Sequence, residues 1–387
     1  MVGGLVTPFA TLLERNRHFD ALVGRPEVRW LGQNTNHAAL HPEVRQAMLD
    51  CIASGEFHIY APPLGLEELR ALILEDLGLA TGSFEAIVTD GAIEGLYHAC
   101  RTLLHPGEEM LVADPGWLWP RAFAREAGAK VIEVPIYDPA CGYRLRIEDL
   151  EAAVTDDTKL IYLVDPNNPT GAIQTRQEIE AIARIARKAG IYVIHDCTYR
   201  HFAQGHTLLA PLYPEGTLTT YSFSKWLGLA GLRVGAIIAA PELAARLATA
   251  PPNNLGSSIL AQRAAIAGLK TKADWFPTVD AAQRENQERI RKAAQSIGGY
   301  EFAVYPSHGN FLCMDVTGAG VSPEALCERY LHRDILIRQG SYHTKRFAER
   351  FVKISTTVPP AWAESFCDLL PVATEEARSM KTVSALY

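Results

Sequence analysis

A chain of 387 residues is too long for one compact core and suits a large domain with a smaller companion. Hydrophobic residues make up 48% and charged residues 21%, as in an ordinary globular protein, with no like-charge run or low-complexity tract to suggest disorder. The net charge of -7 argues against a nucleic-acid binder, which needs a basic face.

The N-terminus, Met1 to Ala10, has no basic start and no long apolar run, so it does not read as a signal peptide. The first forty-odd residues look irregular. No stretch is apolar for long enough to span a bilayer, and the Ala/Ile-rich piece 234–240 reads as a buried strand. Cysteines at 51, 100, 141, 197, 313, 327 and 367 are odd in number and form no C-x-x-C pair. The simplest expectation is a reduced, cytoplasmic protein without structural zinc.

Short apolar segments rich in β-branched residues follow at 86–89, 109–113, 130–134, 159–164, 192–195, 217–222 and 233–239. Helical periodicity fills several gaps, as at 93–104 and 177–189. Strands buried on both faces and separated by helices predict a mostly parallel sheet between helices. Ligands of such sheets sit beyond the carboxyl ends of the strands, so functional residues belong in the loops that follow them. From about Asp274 the pattern changes to a long polar helix, 278–297, and a smaller α+β unit. The expected division is an N-terminal segment 1–45 packing with the small unit, a large α/β domain 46–275 and a small α+β domain 276–387.

The chemistry-bearing residues lie in those loops. Ser222-Phe223-Ser224-Lys225 ends one strand and precedes Gly231-Leu232-Arg233-Val234-Gly235. Hydroxyls and an arginine fork suit a phosphate dianion, and a lysine of lowered pKa attacks carbonyls. Thr89-Asp90-Gly91-Ala92-Ile93-Glu94 joins a strand to a helix whose N-terminus attracts anions. Asp165-Pro166-Asn167-Asn168-Pro169-Thr170-Gly171 fixes an amide in a proline-bounded loop. His195-Asp196-Cys197-Thr198-Tyr199 offers an ionised carboxylate and, three residues on, a hydroxyl. Asp114-Pro115-Gly116-Trp117 supplies an aromatic face for a flat ring. Taken singly, each has an ordinary explanation: a surface lysine, a tight βα turn, an Asn-Pro turn, a helix cap, a packed aromatic. For Trp119 core packing is the preferred reading.

Together and in this order they resemble the class I/II aminotransferases of the fold type I pyridoxal-phosphate enzymes. The resemblance runs from roughly Trp30 to Ser355 and rests on N-N-P-T-G at 167–171, D-x-x-Y at 196–199 and S-x-S-K-x-x-x-L-x-G-L-R-x-G at 222–235. It implies a seven-stranded, mostly parallel sheet with a smaller α+β domain, and pyridoxal 5'-phosphate as cofactor. It further implies that Lys225 forms the Schiff base, Asp196 keeps the pyridine nitrogen protonated and Trp117 stacks on the ring. Asn168 and Tyr199 match donors to the phenolic oxygen. Gly91, Ala92, Ile93, Ser222, Ser224 and Arg233 match the phosphate site. Tyr60, in Y-A-P-P-L-G-L-E-E-L-R, matches a tyrosine that reaches the phosphate of a neighbouring subunit, which implies a homodimer with shared active sites. The implied reaction moves an amino group from an amino acid to a 2-oxo acid, with Lys225 as general base and acid. No metal is called for, and neither nucleic acid nor membrane is an expected partner.

One position departs from the pattern. The family's carboxylate-binding arginine lies in R-[IL]-S near the C-terminus, whereas here Lys353 stands in Phe351-Val352-Lys353-Ile354-Ser355. Lysine keeps the charge but loses the bidentate fork. Three functional readings are open: Lys353 binds the carboxylate with looser orientation, another arginine such as Arg338 replaces it, or the substrate is not an ordinary α-amino acid. A fourth is a tolerated exchange at an unused position. The departure keeps a lyase, cyclase, decarboxylase or oxidase on the same fold as the alternative activity. Gly32 to Asn36 aligns with a segment lining the substrate pocket, so Gly32, Asn168 and Lys353 are the candidate substrate contacts. Asn34 and Asn36 read more readily as surface turn residues. A ligand-sensing regulator on this fold is disfavoured, because such proteins carry an added DNA-binding module and the stretch before Trp30 has no room for one.

Overall fold

The computed structural model describes residues 11–249 and 253–380. The N-terminal reading of Met1 to Ala10 therefore falls outside the described residues. A seven-stranded sheet runs from edge to edge as Glu85–Thr89, Gly235–Ala239, Thr217–Ser222, Tyr192–Asp196, Thr158–Val164, Glu109–Asp114 and Lys130–Pro135. All pairs are parallel except the two made by Gly235–Ala239, which runs against both neighbours. The expected strands are thus present with ends shifted by a residue or two.

Alternation along the strands shows why both faces are covered. Leu111, Ile161, Leu163 and Val193 pack on one face against Ile179, Ile182 and Ala186 of helix Arg176–Ala189. Met110, Leu160, Tyr162 and Ile194 point the other way, onto Leu96, Ala99 and Leu103 of helix Ala92–Leu103. Thr175 and Glu178 close a capping box on the first of these helices, and Gly190 ends it in the left-handed region at φ 66°. Several carboxyl ends of the parallel strands therefore face one crevice.

A second, antiparallel sheet has the order Arg338–Gln339, Phe351–Ser355, Phe311–Asp315 and Glu301–Phe302. Helices Lys272–Ile297, Pro323–Leu331 and Pro360–Ser379 join it in one core with Leu312, Met314, Val352 and Ile354. The long helix was expected from residue 278. It starts at Lys272 and carries Pro277 in its second turn, at the cost of one backbone hydrogen bond. The proline reads as a boundary in the sequence although the helix tolerates it.

Residues 11–40 are less irregular than their sequence suggests. Leu12–Val23 is a helix, capped by Thr11 and Glu14 in a reciprocal box. Only Leu22 of it is buried, so the apolar stripe that reveals most helices is missing. Arg29–Trp30 then pairs in parallel with Ile335–Leu336.

Candidate active site

The crevice holds a cavity of about 440 Å³ beyond the strand ends. Lys225, Asp196, Trp117, Asn168, Tyr199, Ala92, Ile93, Ser222, Ser224, Arg233, Gly32 and Lys353 all line it. Gly91 lies at its edge, against the Arg233 guanidinium. Tyr60 does not line it: the side chain is 76% exposed on the surface.

Lys225 sits just past Thr217–Ser222, and its Nζ donates to the Gln33 carbonyl oxygen at 3.0 Å. Burial pushes its pKa down to about 8; Arg233 and Arg338 push the same way and Asp196 opposes them. A substantial fraction of neutral amine near pH 8 makes it a nucleophile.

Asp196 ends Tyr192–Asp196 and is 2% exposed. Its Oδ2 accepts from Tyr162 Oη at 2.7 Å. Its Oδ1 accepts from Thr220 Oγ1 at 2.7 Å and from Thr198 through Oγ1 at 2.6 Å and the backbone N–H at 3.2 Å. All four donors are neutral. The carboxylate is held rigidly while its charge stays uncompensated by these donors, so it suits a cationic group entering the cavity. The helix-cap explanation fails, because Asp196 precedes no α-helix.

Asn168 and Tyr199 meet directly: Asn168 Nδ2 donates to Tyr199 Oη at 3.2 Å, and Asn34 Nδ2 donates to the same oxygen at 3.1 Å. Burial raises the Tyr199 pKa, so the phenol stays protonated. Asn34 is 1% exposed and Asn36 is buried too, which corrects their reading as surface turn residues. Asn36 Nδ2 donates to the Trp226 carbonyl oxygen at 2.8 Å. No local pattern reveals this, because the partners lie more than 150 residues away.

The anion end is built from backbone. Helix Ala92–Leu103 begins at Gly91, φ 79°, with no side-chain cap on its first turn. A Cβ at Gly91 would overlap the Arg233 guanidinium, and one at Gly235 would overlap the Ala92 backbone nitrogen. Glycine at both places lets the helix start, the arginine and the neighbouring strand converge. Arg233 itself is left-handed, φ 54°. Its guanidinium donates to the Ala230 carbonyl oxygen at 2.8 Å and that of Asp90 at 3.2 Å. Ser222 Oγ accepts from the Ser224 N–H at 3.3 Å.

Across the cavity, Lys353 Nζ donates to Asn168 Oδ1 at 3.1 Å and lies 5.5 Å from the Phe311 ring centre. Burial lowers its pKa well below the usual lysine range, with Arg338 and Lys225 adding to the effect. Trp117 packs half-buried against the apolar core under helix Ala92–Leu103. Trp119, expected in the core, instead opens helix Trp119–Glu126. It is half-buried, with the Arg15 guanidinium 5.5 Å from its ring centre. Arg15, Phe19 and Tyr342 also line the cavity and carried no signal in the sequence.

A second buried cluster joins His195, Cys197 and His206. Both His195 nitrogens are engaged, Nδ1 accepting from the Leu209 N–H at 3.3 Å and Nε2 facing Asp165 at 3.4 Å. That leaves no free lone pair on the imidazole for a metal.

A half-buried lysine, a carboxylate with neutral donors and an anion cradle at the carboxyl edge of this sheet define a fold type I α/β enzyme. Solved structures agree: the chain superposes with a TM-score of 0.84 on N-succinyldiaminopimelate aminotransferase from Mycobacterium tuberculosis (27% identity, 96% of this chain, 100% of that one). With the aromatic aminotransferase of Pyrococcus horikoshii the TM-score is 0.80 (25% identity, 92% and 98%). The chain belongs to the aminotransferase class I and II family, whose pattern matches residues 26–370. Among its relatives, an aspartate aminotransferase of Streptomyces avermitilis is 32% identical over 70% of this chain and 71% of its own length.

Proposed function

We propose that this chain is a pyridoxal 5'-phosphate-dependent aminotransferase that moves an amino group from an amino acid to a 2-oxo acid. The observation that carries the reading is Asp196, buried with four neutral donors, in the same cavity as the buried amine of Lys225. A pyridinium nitrogen is the cation such a carboxylate suits, and an aldehyde is the group such an amine suits.

When bound, pyridoxal phosphate supplies an electron-accepting ring that weakens the bonds at an amino acid's Cα. The residues of this chain divide the remaining work. Lys225 would hold the aldehyde through its amine, and the same Nζ would carry the substrate's Cα proton. Asp196 keeps the proton on the ring nitrogen. Asn168 and Tyr199 donate to the phenolic oxygen, and Trp117 covers the ring face. Gly91, Ala92, Ile93, Ser222, Ser224 and Arg233 take the phosphate. The exposure of Tyr60 supports a homodimer in which Tyr60 of the partner subunit completes that phosphate site. Gly32 and Asn168 face the substrate, and Lys353 lines the same pocket behind Asn168. Seven free cysteines, six of them buried, suit a reduced cytoplasmic protein, and no helix among the described residues is long and apolar enough to cross a membrane.

The test is direct. Purified protein mixed with pyridoxal phosphate is expected to turn yellow, and borohydride to fix the label on Lys225, as read by peptide mass. Single amino acids then convert the cofactor stoichiometrically to its amine form. Release of ammonia, carbon dioxide or peroxide with the aldehyde regenerated rejects amino transfer.

A further inference from the structure

We propose that Arg338 binds the substrate carboxylate in this site and that Lys353 is a positioning residue acting through Asn168. This rests on the aminotransferase reading above and names the group that recognises the substrate. An amino acid and the 2-oxo acid made from it share one charged group, the carboxylate, so a pocket that takes both must hold it.

Arg338 and Lys353 are directly opposed in the antiparallel pair of Arg338–Gln339 and Phe351–Ser355. Residues so paired project from the same face of a sheet. Both line the cavity, and both are nearly fully buried, 4% and 3% exposed. Their head groups are held differently. The Lys353 amine is committed to Asn168 Oδ1, whose amide in turn donates to Tyr199. The Arg338 guanidinium lies 4.4 Å from the Tyr342 ring centre, and its Nε donates to the Gly32 carbonyl oxygen at 3.3 Å. A ring and a carbonyl thus fix the plane of a planar fork, the geometry that recognises carboxylates with two parallel hydrogen bonds.

Charge points the same way. Lys225, Lys353 and Arg338 line one cavity, and three positive charges gathered there repel. Arginine keeps its proton in proteins, whereas a buried lysine gives it up. Burial, with Arg338 and Lys225 adding to it, pushes the Lys353 pKa well down, so Arg338 is the group that holds its charge while the Lys353 amine donates to Asn168.

Two ratios measured on the holoenzyme test this. The first is kcat/KM for an amino acid divided by kcat/KM for the amine made by removing its carboxylate, read in single half-reactions from the cofactor's absorbance. A partly unfolded preparation lowers both rates together and leaves the ratio alone. Arg338→Gln is expected to reduce it about 100-fold, mainly through KM for the acid, as loss of a buried charged partner does. Lys353→Met is expected to leave it within about 5-fold of wild type and to lower kcat for both substrates, since a positioning residue serves both. The second ratio compares Lys353→Gln with Lys353→Met: the amide can still donate to Asn168 without charge, so Gln is expected to regain about 10-fold in kcat, the effect of one net hydrogen bond. A ratio unchanged in Arg338→Gln and collapsed in Lys353→Met overturns the assignment. Lys353→Gln no better than Lys353→Met overturns the positioning role. A wild-type protein that never turns yellow removes the aminotransferase reading and this one with it; a yellow, active protein with an unaltered Arg338→Gln removes this one alone.

Discussion

Asp76 and Asp196 are both largely buried carboxylates surrounded by donors, yet their surroundings are opposite in charge. Asp76, in helix Glu67–Leu77, faces Lys272, Arg200 at 3.3 Å, His201 at 2.9 Å and the Tyr221 hydroxyl at 2.7 Å. Burial works to raise its pKa, but the His201 hydrogen bond and the Lys272 charge prevail and hold it below the usual carboxylate range. His201, pushed down to about 3 mainly by burial, donates as a neutral ring. The chain thus neutralises Asp76 with its own cations. At Asp196 it provides hydroxyls and one N–H, and leaves the charge for something else. A carboxylate completed within the fold serves stability; one given geometry without compensation is kept for a ligand.

Substitution at either carboxylate tests the difference between them. The largest effect is expected from Lys225→Ala, which abolishes turnover yet leaves a protein that still holds pyridoxal phosphate without a covalent bond. If dialysis strips all cofactor from that variant, the charge of Asp196 contributes nothing to recognition. Asp196→Asn is expected to lower turnover by roughly 10²–10³-fold, the scale of one lost electrostatic partner. It should leave the cofactor-free protein as stable as wild type or more so, because it removes a buried charge whose hydrogen-bond partners are all neutral. A clear fall in that protein's Tm would contradict the contrast.

Asp76→Ala reverses the pattern. It is expected to cost about 3–5 kcal/mol of stability by stranding Lys272 and Arg200, while turnover per folded molecule changes less than about 3-fold. Urea unfolding and active-site titration read the two separately. The same carboxylate predicts a pH effect. Its folded pKa lies below its unfolded one, so its contribution is full above about pH 4 and shrinks as pH falls below that value. The Tm gap between wild type and Asp76→Asn should accordingly narrow under acid conditions and stay constant from pH 6 to 8. Tyr162→Phe is the smallest perturbation. Three donors to Asp196 remain, so kcat should fall by less than about 10-fold; a loss as large as that of Asp196→Asn would mean Tyr162 does more than hold the carboxylate.

Much of this contrast was legible in the sequence on one side only. Asp196, Asn168, Tyr199, Ser222 and Lys225 announce themselves because each follows a strand within a few residues, and strand ends can be read from local composition. The donors that define Asp196 cannot be read that way. Tyr162 and Thr220 come from the two neighbouring strands, and register between parallel strands leaves no trace in local spacing. Arg338 and Lys353 are likewise fifteen residues apart in the chain and opposed only through antiparallel pairing. Asn34 looked like a turn residue because its burial depends on partners at 199, 310 and 355. The Leu12–Val23 helix was missed for another reason: its capping box is present in the sequence, but a mostly exposed helix lacks the apolar stripe on which periodicity depends.

Gln33 meets Lys225; Asn34 binds Ser355 through its N–H and Asn310 through its carbonyl oxygen; the His37 N–H binds the Thr357 carbonyl oxygen. Trp30 pairs with Leu336. This stretch is therefore held by partners that are translated well after the seven-stranded sheet. During synthesis the seven-stranded sheet can close long before this early segment has anywhere to dock. A nascent chain stopped short of residue 335 would own its reactive lysine but not the wall beside it, so catalytic competence waits for the segment 335–357.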